Sequence, residues 1–91
     1  MVWPMPPGPD DPQKRMLDES FGRALREARL QRGLSQEALS FACGRHRTFV
    51  SLLERGKNGA SLETVFKLAR ALEVEPSVLV ARADLFLDGR W

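Results

Sequence analysis

The feature that most constrains the fold is a glycine, Gly44, between two short stretches with the apolar spacing of a helix. Because glycine lacks a Cβ, it adopts positive φ without strain and suits a sharp turn from one helix into the next. The sequence therefore predicts a helix over residues 36–43, a tight turn, and a helix over about 47–55. Their expected inward-facing residues are Leu39, Ala42, Cys43, Val50 and Leu53.

Three further segments have helical periodicity. The first runs from about Lys14 to Gly33, which favours a left-handed helix end, and Ser35 is the expected N-cap of the helix that follows. Ser61 is placed to cap a fourth helix, and Pro76 to begin a fifth. No segment of useful length alternates with period two, so we predict an all-α chain of five helices. The expected inward residues are Leu17, Phe21, Leu25 and Ala28 in the first helix, Leu62, Val65, Phe66, Ala69 and Leu72 in the fourth, and Val78, Leu79 and Ala81 in the fifth.

Length and composition indicate one small globular domain. The chain has 91 residues, of which 43% are hydrophobic and 29% are charged. It has no apolar run of about 18 residues and no secretory pattern at its N-terminus, which argues against a membrane partner. One cysteine forms no internal disulfide, and no zinc spacing is present, so we expect no metal, no cofactor and a reducing, cytoplasmic location. Residues 1–12 hold five of the six prolines, so residues 1–13 are expected to be a disordered arm in which Trp3 offers a docking side chain.

The positive charge of the chain is concentrated in its middle. Residues 13–60 contain ten Lys or Arg and five Asp or Glu, whereas residues 61–91 contain four and five. A local cationic excess is a weak electrostatic footprint for nucleic acid.

The wording around the turn resembles the Xre-type (Cro/repressor) DNA-binding family. "LSQEAL", then Gly44, then "TFVSLLERGKNGASLETVFKLARALEVEP" carry the resemblance, which covers residues 20–82. It implies a Cro/repressor-like helix-turn-helix domain over residues 14–83, which would regulate transcription without enzymatic activity. The helix over 47–55 would lie in the major groove of double-stranded DNA. Two departures are Arg45, where the family is usually apolar, and His46, where it commonly has a Ser or Thr N-cap.

The resemblance also implies roles for individual residues, and it assigns none to catalysis. In the family, an arginine of the first helix pairs with the glutamate that ends the recognition helix, and the matching residues are Arg29 and Glu54. Arg47 is the best candidate for a bidentate contact with guanine, although a phosphate clamp fits it nearly as well. The expected base-reading residues are Arg47, Thr48, Ser51 and Leu52. The expected phosphate contacts are Gln36, Arg45, His46, Arg55, Lys57 and Asn58.

Members of this family usually bind as two-fold dimers, so we expect a homodimer on a pseudo-palindromic operator. A C-terminal tail over residues 84–91, with the end of the fifth helix, is apolar enough to form the interface; alternatively, it folds back over its own core. The interface candidates are Val80, Leu85, Phe86, Leu87 and Trp91. A phage-type repressor, a restriction–modification controller and an autoregulating antitoxin all fit. The alternative function is a protein-interaction module, an adaptor or antitoxin, whose partner would be a toxin or polymerase.

Overall fold

The computed structural model describes residues 11–91. Within that range the chain is all-α, as predicted, and no residue is in a β-strand. The five helices are α1 Pro12–Arg32, α2 Gln36–Ala42, α3 Phe49–Glu54, α4 Leu62–Leu72 and α5 Pro76–Leu87. Residues 1–10 of the predicted arm lie outside the described residues. They include Trp3, so its expected docking role lies outside them as well.

Helix α1 begins two residues earlier than the periodicity predicted. The carboxylate of Asp11 accepts a hydrogen bond from the backbone N–H of Gln13 (3.1 Å), and Pro12 occupies the first helical position. Proline is tolerated there because an N–H at that position would have no partner within the helix. Residues 11–13, which the sequence placed in the arm, therefore form the start of the helix.

The core is a cluster of leucines and small apolar residues contributed by all five helices, and α1 packs extensively against α5. The fully buried large side chains are Leu25, Leu39, Leu53, Leu68, Leu72, Leu79 and Val50.

The prediction of which residues face inward was wrong in parts of α1, α2, α4 and α5, and Leu17 of α1 is exposed. Leu62 and Phe66 of α4 are 72% and 50% exposed, because the neighbouring helices cover the side of α4 that carries Val65, Leu68 and Leu72. Similarly, Ala42 and Ala81 are exposed. In α5 the buried positions are Leu79, Ala83 and Leu87, spaced four residues apart. Apolar periodicity was present on two sides of these helices, and only tertiary packing selects one of them.

A glycine in the middle of α1 allows this helix to approach α3 closely. A Cβ on Gly22 would lie 2.5 Å from the carbonyl oxygen of Leu53 and 2.8 Å from that of Glu54. At Gly56 (φ +70°), just beyond α3, a Cβ would lie 2.8 Å from the Cγ of Glu19. The C-terminal end of α3 is thus held directly against the backbone of α1.

Candidate nucleic-acid interface

Helices α2 and α3 form the predicted pair of short helices around a turn. The hydroxyl of Ser35 accepts a hydrogen bond from the N–H of Ala38 (3.0 Å) and caps α2. At the other end, Gly44 has φ +69°, and the N–H of Arg45 donates to the carbonyl of Ser40 (3.0 Å). This left-handed ending redirects the chain within a few residues, as the glycine indicated.

Ser40 links the two helices through its side chain. Ser40 is fully buried. Its Oγ accepts a hydrogen bond from the N–H of Val50 in α3 (3.0 Å), and its hydroxyl donates one to the carbonyl of Gln36 (2.9 Å). Because a buried N–H without a partner costs about 1–3 kcal/mol, this bond favours one position of α3 relative to α2. The small size of the residue also lets the helices approach each other.

Arg29 of α1 and Glu54 of α3 form a bidentate ion pair. The Nε of Arg29 is 2.5 Å from one carboxylate oxygen of Glu54, and its Nη2 is 3.0 Å from the other. Arg29 also donates to the carbonyl of Leu34 (2.9 Å), and the Nε2 of Gln36 donates to Glu54 (3.0 Å). The hydrogen bond to Glu54 raises the pKa of Arg29, against the opposing effect of burial. One network therefore joins α1, α2 and α3 behind the turn.

The network gives Gln36 a role that the sequence did not predict. Gln36 was expected to bind phosphate, but one N–H of its amide is committed to Glu54. Its side chain is thereby held in place beside the N-terminus of α2, with its second N–H left for another acceptor.

Helix α3 begins at Phe49, two residues later than predicted, and the residues before it form a turn. The carbonyl of His46 accepts a hydrogen bond from the N–H of Phe49 (2.9 Å), and the Nδ1 of its ring accepts one from the N–H of Thr48 (3.2 Å). His46 thus stabilises the turn before α3, whereas Thr48, the N-cap residue of α3, makes no side-chain capping bond. Arg47 and Thr48 lie in this turn rather than in the helix.

Most of the predicted DNA-contacting residues lie before and after α3. All four residues of the turn, Arg45, His46, Arg47 and Thr48, are exposed, and the guanidinium of Arg45 lies over the ring of Phe49 (5.0 Å). Along the helix, Ser51 and Leu52 are half-buried. Beyond it, the exposed residues are Arg55, Lys57 and Asn58. Exposed positively charged side chains therefore lie both before and after α3.

The expected dimer residues are only partly accessible. Val80, Leu85 and Trp91 are 53%, 77% and 62% exposed, whereas Leu87 is buried in the core of its own subunit and has little surface to offer. Phe86 is half-buried, with the guanidinium of Arg23 4.2 Å from its ring centre. Four residues of the predicted tail belong to α5. An apolar groove of about 610 Å³ runs beside them, and its lining includes Leu17, Phe21, Val65, Val80, Leu87 and Trp91.

Cys43 is buried at the end of α2, where the sequence placed a small apolar residue. Burial raises the pKa of its thiol, and the nearby charges of Lys67 and Arg45 oppose that shift. Within residues 11–91, no group of three or more potential metal ligands comes together. No helix in the same range is long and apolar enough to cross a bilayer.

Sequence reasoning missed Gly22, although a signal was available. A glycine inside an otherwise good helix costs about 1 kcal/mol relative to alanine, so its presence suggests a close backbone approach. The hydrogen bond from the N–H of Thr48 to the ring of His46 had no comparable signal, because it depends on the conformation of the turn.

The fold and the turn geometry define a helix-turn-helix protein, and comparison with known proteins agrees. The model of the helix-turn-helix family HTH_3 matches residues 25–79. The chain belongs to this family of non-enzymatic, DNA-binding transcriptional regulators, so the predictions of family, fold and double-stranded DNA binding are confirmed.

Several of its relatives are control proteins. Control protein C.BamHI of Bacillus amyloliquefaciens is 43% identical over 61 residues, which are 66% of this chain and 75% of that protein. The restriction–modification controller protein C.AhdI from Aeromonas hydrophila is 47% identical, and its crystal structure gives a TM-score of 0.65. This match covers 68% of this chain and 94% of the C.AhdI chain. The clp gene regulator ClgR from Corynebacterium glutamicum has a TM-score of 0.76 at 27% identity, covering 81% of this chain and 79% of its own.

Proposed function

We propose that this chain is a homodimeric, sequence-specific regulator of the restriction–modification controller type, which binds a pseudo-palindromic operator. The observation that carries the proposal is the exposed cationic turn before α3, held on a bihelical unit by Ser40 and by the Arg29–Glu54 pair. The likeness to two control proteins at 43% and 47% identity supports the controller assignment over a phage-type repressor or an antitoxin.

In the proposed complex, α3 lies in the major groove with its N-terminal end toward the bases. Arg47 donates to guanine O6 and N7, because its exposed guanidinium has the geometry for two parallel bonds. Thr48, also exposed, reads a neighbouring base. Ser51 and Leu52 are half-buried, which restricts them to the edge of the reading surface, where Leu52 meets a thymine methyl group.

The phosphate contacts flank this reading surface. Arg45 and the Nε2 side of His46 bind the backbone on one side of the groove, together with the remaining N–H of Gln36. On the other side, Arg55, Lys57 and Asn58 lie in an exposed segment beyond the end of α3. Such contacts position the protein without selecting a sequence.

The dimer forms through α5 and the residues after it. Val80, Leu85 and Trp91 are exposed, and the groove beside α5 extends the apolar surface onto Leu17 and Phe21 of α1. As a regulator of transcription related to bacterial control proteins, the dimer would act in the cytoplasm, where the DNA is.

Two measurements test this function. Selection of duplexes from a random pool should yield two related half-sites with centres about one DNA turn, or 10–10.5 base pairs, apart. Affinity for the selected duplex should fall steeply between 50 and 200 mM salt, by about 10³-fold for six phosphate contacts. Selection of no sequence, or binding that ignores ionic strength, would contradict the proposal.

A second candidate is a protein-interaction module, and the apolar groove beside α5 is the observation that favours it. An amphipathic helix of a toxin or of polymerase would lay its apolar side into such a groove. A protein-interaction function alone would give no duplex binding even at low salt, whereas the family of this chain binds double-stranded DNA, so the same titration separates the two candidates.

A further inference from the structure

Two hydrogen-bond donors of Thr48 meet the same acceptor, the Nδ1 atom of the His46 ring. The backbone N–H of Thr48 lies 3.2 Å from it, and the hydroxyl oxygen of Thr48 lies 2.9 Å from it. Both side chains are exposed on the surface proposed to face DNA. The position of the hydroxyl hydrogen of Thr48 therefore affects whether this surface donates or accepts a hydrogen bond.

The backbone N–H of Thr48 determines which nitrogen of the His46 ring presents a lone pair. A backbone N–H only donates, so Nδ1 must present a lone pair, and the neutral imidazole then carries its hydrogen on Nε2. The hydroxyl of Thr48 both donates and accepts, but the ring nitrogen has no hydrogen in this tautomer, so at 2.9 Å the hydroxyl donates to the lone pair that it shares with the N–H. Its hydrogen is therefore directed at the ring, and its oxygen lone pairs remain for other partners.

We propose that His46 is a specificity-determining residue that acts by positioning the hydroxyl hydrogen of Thr48, which then meets DNA as an acceptor only. In the major groove, adenine and cytosine present amino donors, whereas guanine and thymine present acceptors. The half-site should therefore favour adenine or cytosine at the base that Thr48 meets. This inference depends on the proposed base contact of Thr48.

The test measures base preference at a single position with the full chain. Selected duplexes are altered at each base in turn, and affinities are measured at pH 8 for the wild type, His46→Ala, His46→Asn and Thr48→Val. The wild type should favour adenine or cytosine over guanine or thymine at one position by about three- to tenfold, the contribution of one hydrogen bond. Thr48→Val and His46→Ala should abolish this preference.

His46→Asn should restore the preference, because an asparagine oxygen accepts from the N–H two residues later and offers the same acceptor to the hydroxyl. Lys57→Ala is the control, since loss of a phosphate contact lowers affinity for all bases alike. Circular dichroism checks that each variant is folded.

The outcomes separate this inference from the proposed function. If no duplex is selected, or if binding does not depend on salt, the proposed function fails. If duplexes are selected but His46→Ala keeps the single-position preference or weakens all sequences equally, the role of His46 is overturned and the function remains. An unchanged preference in Thr48→Val would also overturn it.

Discussion

The hydrogen atom that serves as the side chain of Gly22 decides how closely α1 and α3 approach. The position a Cβ would occupy is 2.5 Å from a backbone carbonyl of α3, an atom that moves only if the whole helix moves. Gly22, Arg29 and Glu54 together fix the position of the C-terminal end of α3. The cationic turn lies at the other end, before its N-terminus. Single residues of α1 therefore determine how the reading surface is presented.

We expect Gly22→Ala to destabilise the fold by about 1–3 kcal/mol, although alanine favours helix formation. The added methyl group must displace the C-terminal end of α3. Urea unfolding measures the change, with Arg26→Ala, at an exposed position of the same helix, as the control. A stability equal to or above the wild type would show that the approach is looser than the geometry indicates.

Glu54→Ala should destabilise by about 3–5 kcal/mol, because it leaves the buried guanidinium of Arg29 without its partner. Glu63→Ala, which breaks the exposed pair with Lys67, should cost at most about 1 kcal/mol. Chemical unfolding of the two variants provides the comparison. Equal losses would contradict a special role for the buried pair.

The thiol of Cys43 should make stability decline at alkaline pH. Its pKa is raised by burial, so the folded state disfavours the thiolate more than the unfolded state does. The resulting stability is fully present below the ordinary pKa of a cysteine and is lost as the pH rises through the raised value. Between pH 7 and pH 9.5, the urea midpoint should fall further for the wild type than for Cys43→Ala. Equal declines would contradict the prediction.

At the scale of elements, the proposed recognition surface consists of α3 and the turn before it. The helix packs Val50 and Leu53 into the core, so the side chains free to meet bases are concentrated in the turn and at the start of the helix. The positively charged side chains of the segment after α3 lie outside any helix. Specificity and affinity are therefore expected to separate by position along the chain.

Arg47→Ala should cost about 1–3 kcal/mol of binding free energy and relax preference at one base pair. Lys57→Ala should weaken all sequences similarly and reduce the slope of log affinity against log salt by about one. Fluorescence anisotropy with the selected duplex and its single-base variants measures both. Should the two variants behave alike, Arg47 would be a phosphate clamp.

For the molecule over residues 11–91, two exposed apolar surfaces are candidates for the proposed self-association. One lies along α5 and the groove beside it, and the other is formed by Leu62 and Phe66 on α4. An operator with two half-sites requires one such surface to join two subunits. The proposed dimer uses the α5 surface.

Val80→Glu should dissociate the dimer and reduce operator affinity without unfolding the subunit, because Val80 is already half exposed. Phe66→Glu, which adds the same charge on α4, should leave the dimer intact. Sedimentation equilibrium over a range of concentrations gives the mass of each variant. A monomeric wild type, with and without DNA, would contradict the dimer, and dissociation by Phe66→Glu alone would move the interface to α4.

The sequence by itself determined the features that depend on neighbouring residues along the chain. Five helices, the caps at Ser35 and Ser61 and the turn at Gly44 follow from local spacing and from residue types with strong backbone preferences. The match of Arg29 and Glu54 came from the family resemblance, and their bidentate contact appears in the structure.

Only the tertiary structure decided which side of α4 and α5 is buried, how closely α1 meets α3, and where α3 begins. Apolar spacing is a property of one helix, whereas burial depends on which neighbours cover it, so Leu62 and Phe66 carried the pattern of core residues and remained exposed. The bond between His46 and Thr48 likewise requires the turn to be folded before the ring can reach the backbone. Residues distant in sequence set the burial of α4 and α5 and the approach of α1 to α3, and no local pattern encodes these contacts.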